Sequence, residues 1–181
     1  LPVTKKAPPE ESWQADLGIT HDLLDDEYRL TLEGYYRKMK NLVEFKEKGY
    51  IYSFRDSWEN KIYSGGTGES YGAEIMLRKK RGVLNGWLSY TLSRATRQFD
   101  EVNGGESYFF GYDRRHSISL VMSYHITERL VVAGNWVYAT GRPLTMPSGS
   151  FTTISNMSGN LLKETRDNRL FYDEKNNFRT E

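Results

Sequence analysis

The sequence predicts an all-β protein, an antiparallel up-and-down transmembrane β-barrel segment of about six strands. Three observations carry that expectation. Apolar and polar residues alternate with a period of two along six stretches. The connections between stretches alternate between short and long. Tyr and Trp gather near the ends of the apolar faces, at Trp13, Tyr28, Tyr36, Tyr71, Tyr124, Trp136 and Tyr138.

Residues 1–11 are polar with three prolines and read as a linker or loop. Residues 12–22 place Trp13, Ala15, Leu17 and Ile19 on one face and Gln14, Asp16, Gly18 and Thr20 on the other. After a turn at Leu24-Asp25-Asp26-Glu27, residues 28–38 set Tyr28, Leu30, Leu32, Gly34 and Tyr36 against Arg29, Thr31, Glu33, Tyr35 and Arg37. Two such arms with a short polar connection make a hairpin. A period of 3.6 fits residues 23–38 far less well, so an amphipathic helix is disfavoured there.

Residues 39–66 read as a long connection, with a helical turn or a short ribbon around Tyr50–Phe54. A second hairpin covers about 68–93. Its first arm carries Tyr71, Ala73, Ile75 and Leu77 on one face, and its second carries Leu88, Tyr90 and Leu92. Lys79 to Gly82 is the expected turn. Residues 94–112 form another long connection. The third hairpin pairs 114–125 with 129–140 around Ile126-Thr127-Glu128. A short ribbon fits Phe151–Ile154, and the charged stretch 160–181 specifies no element.

Strands of about ten to twelve residues are long for a soluble domain, where ~5–6 is typical, and suit a tilted membrane strand of ~9–11. Short turns on one side and long loops on the other is the outer-membrane barrel pattern. A soluble sandwich would more often turn every ~8–12 residues at both ends. Aromatics at strand ends match the girdles at the two bilayer interfaces. A smaller barrel acting as a porin or adhesin is the second reading, and a soluble β-sandwich binding module the third.

Composition narrows the rest. The 181 residues carry 25 Lys plus Arg against 24 Asp plus Glu, which gives no electrostatic case for nucleic acid. There are no cysteines, so disulfide scaffolds and Cys-based zinc sites are excluded, and zero cysteine suits an exported bacterial protein. Aromatics make up 14% of the chain, Tyr leading with 13. Mean hydropathy is -0.69 and no apolar run is long enough for a transmembrane helix. Neither bears on a barrel, whose strands are only half apolar.

The segments LEGYYRKMKNLVEF, GTGESYGAEIMLRKKRGVLNGWLSYTLSRATRQF, GGESYFFGYDRRHSISLVMSYHITERL and VVAGNWVYATGRPLTMPSG resemble the C-terminal barrel half of TonB-dependent outer-membrane receptors. The strongest signals are Ser70-Tyr71-Gly72-Ala73-Glu74 at a strand start, Tyr90-Thr91-Leu92-Ser93 at a strand end, Asp113-Arg114-Arg115-His116 opening a strand, and the exit Thr140-Gly141-Arg142-Pro143. The resemblance covers about residues 28–149. It implies six strands of a 22-stranded barrel with a plugged lumen, set in the bacterial outer membrane. It further implies TonB-driven uptake of a large scarce solute of the siderophore, cobalamin or glycan class. Implied partners are outer-membrane lipid, the TonB complex acting through a plug, the solute, and in some cases a surface lipoprotein. No plug and no TonB box stand in residues 1–181, and no final strand ends in an aromatic, so the chain reads as an internal piece of the barrel, mature or excised.

Candidate sites follow from this frame. The run from Gly66 to Gly72 superficially suggests a phosphate loop. That chemistry needs a helix to follow, and a strand follows instead, so it is expected to end an extracellular loop. Asp113-Arg114-Arg115-His116 is expected to be a structural rim motif, with Arg115 toward the lumen and His116 outward. Glu33, Glu74, Arg78 and Arg115 are expected to make lumen or plug contacts; for Glu33, Glu74, Arg29 and Arg78 intra-barrel ion pairs are the alternative. The loop aromatics Tyr50, Tyr52, Phe54, Trp58, Tyr108, Phe109 and Phe110 are the candidates for solute capture, since flat rings give contact area at low entropy cost. The competing reading has them packing the loops on one another. His21, His116 and His125 have no metal spacing. No nucleophile-base arrangement is present, so neither cofactor nor enzymatic activity is expected.

Overall fold

A computed structural model describes residues 4–46, 57–155, 165–172 and 174–179. The main sheet is antiparallel and consists of β1 (Glu11–Leu23), β2 (Tyr28–Phe45), β3 (Ile62–Lys79), β4 (Leu84–Gln98), β6 (His116–Thr127) and β7 (Leu130–Ala139), each hydrogen-bonded to the next. The short β5 (Tyr108–Phe109) pairs with β4 beyond the end of β6. Two ribbons follow: β9 (Pro147–Ser155) with β10 (Thr165–Tyr172), and β8 (Pro143–Leu144) with β11 (Phe178–Arg179). The six long strands are those the alternation identifies. The sheet is open, β1 and β7 being its edges.

Register decides what each face touches. One continuous row across the sheet is Ile19–Leu32–Ile75–Tyr90–Ile118–Tyr138, and the next is Leu17–Gly34–Ala73–Leu92–His116. All outward alternates therefore coincide. No described residue covers them: Leu17, Leu32, Ile75, Leu77, Leu88, Leu92 and Trp136 are 40% to 76% exposed. A six-strand apolar surface left bare is a partner-binding or membrane surface. The opposite face carries Asp16, Arg29, Glu33, Glu74, Arg78, Ser89, Thr91 and Ser119 by the same register.

The strands are longer than the alternation indicates. β2 and β3 each have 18 residues, so the connection expected over 39–66 shrinks to 46–61. Two irregularities hide the extension. Asn41 takes φ 57, at a register shift between Met39 and Leu42, and Gly65 takes φ 76. A bulge flips the inside-outside phase, so a period-two scan stops there. The glycine run expected as the end of a loop is instead strand. Its glycines make room: a Cβ on Gly66 would lie 2.4 Å from the Phe99 ring, and one on Gly68 would lie 2.8 Å from Leu42 Cδ1. At the third hairpin, Ile126 and Thr127 belong to β6 and the turn is Glu128–Arg129. The stretch 160–181, expected to carry no element, contributes β10 and β11. The expected ribbon at Phe151–Ile154 lies within β9.

The short turns all fall at one end of the sheet. Leu24, Asp25 and Asp26 have φ of 52°, 50° and 66°, and Glu27 N–H donates to the Leu24 carbonyl at 3.0 Å. Positive φ at both central residues is the hand that suits a two-stranded twist. Ion pairs join this turn to the next one. Arg29 donates twice to Asp22, at 2.8 and 2.7 Å, while Lys80 reaches Asp22 at 2.7 Å and Lys79 reaches Glu27.

Candidate functional site

The long connections meet at the opposite end, where the protein builds its only cluster of buried apolar side chains among the described residues. Leu42, Phe99, Val102 and Tyr108 pack together, with Met39 and Tyr63 against them. Gly66 and Gly68 belong here because a side chain on either would displace Phe99 or Leu42. Residues 99–115, between β4 and β6, are thereby held against the extended ends of β2 and β3.

Two carboxylates tie distant segments to this core. Glu44, on β2, accepts from Tyr108 Oη at 2.7 Å and Lys175 Nζ at 2.6 Å, with Arg97 at 3.4 Å. Asp113 is buried. Its Oδ1 accepts from the Ala95 amide at 2.6 Å, and its Oδ2 pairs with Arg179. Residues 174–179 add neutral bonds. Asn103 and Lys175 exchange two, at 2.8 and 3.2 Å, and Asn176 Nδ2 donates to the Phe109 carbonyl at 2.8 Å. The segment before and within β11 is thus strapped across residues 99–113.

Burial alone would push the Glu44 carboxyl up. The hydrogen bonds from Lys175 and Tyr108 and the charges of Lys175 and Arg97 outweigh it and hold the group below its ordinary value. A depressed folded value means that the stabilisation is fully present above the unfolded value of about 4.3 and is lost as pH falls through the lower folded value. Amide exchange across 174–179 should therefore be flat from pH 8 to 5 after correction for intrinsic rates, and should rise below about pH 4. Glu44→Gln should reduce the acid rise.

The structure places the aromatic candidates unevenly. Tyr50, Tyr52 and Phe54, with the ribbon or turn expected there, lie outside the described residues. Trp58 opens a 3-10 turn, Trp58–Lys61. Tyr108 is buried in the core cluster. Phe109 has the guanidinium carbons of Arg94, Arg115 and Arg179 at 5.4, 5.5 and 5.2 Å from its ring centre. Phe110 has Arg97 over its face at 3.8 Å, and Tyr112 has Arg142 at 5.1 Å. Cations over ring faces are attracted to the ring quadrupole.

On the polar face, Glu33 stands directly opposite Glu74, and Arg29 opposite Arg78. Thr91 Oγ1 donates to Glu74 at 3.1 Å. His116 is in the outward row with Leu92, and its Nδ1 lies 2.8 Å from Tyr90 Oη. Among the described residues no three His, Cys, Asp or Glu come close enough to hold a metal ion.

The residues that organise this end, Glu44, Asp113, Lys175, Asn176 and Arg179, do not stand out in the sequence. Asp113 alone lay within a recognised pattern, the Asp113-Arg114-Arg115-His116 strand opening.

An up-and-down antiparallel sheet with long strands, one bare apolar face and loops gathered at one end is the wall of an outer-membrane β-barrel. The model of the TonB dependent receptor-like, beta-barrel family matches residues 6–178. The chain belongs to that family, whose members are transporters of the bacterial outer membrane. No curated protein and no solved structure matches the chain.

Proposed function

We propose that this chain forms part of the barrel of an outer-membrane receptor that takes up a large scarce solute, of the siderophore, cobalamin or glycan class, with energy delivered by TonB. The observation that carries this reading is the carboxylate pair Glu33–Glu74. Like charges directly opposite on a sheet are destabilising, and neither carboxylate has a cationic partner among the described residues. A barrel wall with such a pair on its inner face suits an occupied lumen, in which a plug supplies the cations. Arg78 stands ready for an acidic plug residue in the same way.

Solute capture falls to the loop aromatics. Trp58, Phe109 and Phe110 are only partly buried at the loop end, and Tyr50, Tyr52 and Phe54 belong to the same connection as Trp58. Tyr108 supports them from the core. Binding to outer-membrane preparations of radiolabelled ferric siderophore, cobalamin or oligosaccharide identifies the class. Trp58→Ala and Phe109→Ala should each weaken binding of that solute about tenfold, the worth of one aromatic contact of ~1.4 kcal/mol. Uptake should stop in cells lacking TonB, while binding persists. Uptake that continues without TonB removes the proposal.

A further inference from the structure

We infer that the outer surface of the sheet carries a site for a single anionic, phosphate-bearing lipid. Two adjoining features make it. The first is a groove of about 640 Å³ in the apolar face, floored by Gly34 and Ala73 and walled by Leu17, Leu32, Tyr36 and Leu92. Gly34, Ala73 and Leu92 are direct cross-strand neighbours. Two small residues side by side between bulky rows leave a channel. The channel extends over three rows of residues, spaced ~6.7 Å apart along the strands, enough for much of one acyl chain.

The second feature is a polar cavity of about 550 Å³ toward the loop end, lined by Lys38, Glu69, Tyr71, Arg94 and Thr96 among others. By register Tyr36, Tyr71 and Arg94 form the row directly beyond Gly34, Ala73 and Leu92, and Lys38, Glu69 and Thr96 form the row after that. Groove and cavity are therefore consecutive on one face, apolar first and cationic next. This is the order of an acyl chain and its headgroup.

Charge selects the headgroup. Glu69 is engaged by Lys38 at 3.7 Å and by Tyr36 Oη at 3.1 Å. Arg94 has no carboxylate partner among the described residues, and its guanidinium is set against the Phe109 ring. A fixed guanidinium with free donors, at the height of the aromatic girdle, binds phosphate bidentately. The girdle tyrosines beside it supply hydroxyls at the same level.

The site presupposes the outer-membrane reading, so the test must separate the two. The protein is purified from outer membranes in mild detergent, delipidated, and titrated with phosphatidylglycerol or phosphatidylcholine. Native mass spectrometry counts the retained lipid, and heat-modifiable gel migration shows that each variant is folded. Phosphatidylglycerol should be retained at least fivefold better than phosphatidylcholine. Arg94→Gln should remove that preference, and Arg94→Lys, which keeps the charge but not the bidentate fork, should retain only part of it. Gly34→Leu should reduce retention of both lipids, because it fills the groove; the position admits a side chain, a Cβ there meeting only the Gly72 carbonyl oxygen at 3.7 Å. Unchanged phosphatidylglycerol retention in Arg94→Gln or in Gly34→Leu overturns the site. Displacement of phosphatidylglycerol by glycerol 3-phosphate at equal concentration also overturns it, by showing an anion site that needs no chain. A protein that partitions into water and retains neither lipid is instead a failure of the membrane reading itself.

Discussion

Replacing Asp113 with Ala should open the loop end of the barrel while leaving the membrane strands in place. Asp113 is 3% exposed and makes two bonds that nothing nearby replaces, one from the Ala95 amide at 2.6 Å and one from Arg179. Removing it orphans a backbone donor and leaves Arg179 facing the other guanidiniums around Phe109. Breaking a buried pair by deleting one partner costs ~3–5 kcal/mol. Arg179 is a quarter exposed and can turn toward water, so the lower end applies, about 3 kcal/mol. This is a local cost. The strap of residues 174–179 and residues 99–113 share it, and the ladder from β1 to β7 does not. The expected result is roughly a hundredfold faster amide exchange at Ala95, Phe110 and residues 174–179, with exchange in β2 and β3 below the girdle unchanged. Asp100→Asn, at an exposed position of the same loop, is the control and should change nothing. Equal exchange in Asp113→Ala and the parent would mean that the strap is held by Glu44 and the neutral bonds alone.

The split between membrane strands and loop end also explains what the sequence could reveal. Period-two alternation is a local signal, and it persists wherever a strand has lipid on one side. The rows Ile19–Leu32–Ile75–Tyr90 and Leu30–Leu77–Leu88–Leu120 were therefore legible strand by strand. Within each hairpin their agreement follows from turns too short to permit a slip; between hairpins, where the connections are long, it rests on the pairing of β2 with β3 and of β4 with β6. Above the girdle the signal fails for two physical reasons. Asn41 and Gly65 bulge, which inverts the phase of everything beyond them. There the sheet also acquires a protein layer, so Leu42 and Phe99 turn inward to a core and alternation gives way to packing. That packing is non-local: Glu44 meets Lys175, and Asp113 meets Arg179 across a separation of 66 residues. A pairing of that separation leaves no trace in a window of ten residues. Gly66 lies in strand rather than at the end of a loop for the same reason, since the ring that requires a glycine there belongs to Phe99.

Gly86→Val is expected to be the most damaging single substitution in the membrane strands. Gly86 sits in β4 opposite Lys79 on one side and Met122 on the other. Its φ is 152°, outside the range of an L side chain, and a Cβ there would stand 2.1 Å from the Val121 carbonyl oxygen and 2.9 Å from Met122 Cα. Both obstacles are backbone, so no rotamer change relieves them. To admit the side chain, β4 and β6 must separate, and the carbonyl and amide groups released face a bilayer that offers no water. Strained φ costs ~1–3 kcal/mol and overpacking ~1–3 more, before any ladder bond is lost. About 3–5 kcal/mol is expected, to be read as a lower urea midpoint for loss of the heat-modifiable folded band and as less protein reaching the membrane. Gly134→Ala is the matched control. That glycine lies on β7, has no atom within 4 Å of its Cβ position, and should tolerate the change to within ~0.5 kcal/mol. If Gly86→Val were as well tolerated as Gly134→Ala, β4 and β6 could not run as close as Gly86 requires. The register that aligns Leu88 with Leu120 and makes the apolar face continuous would then be wrong.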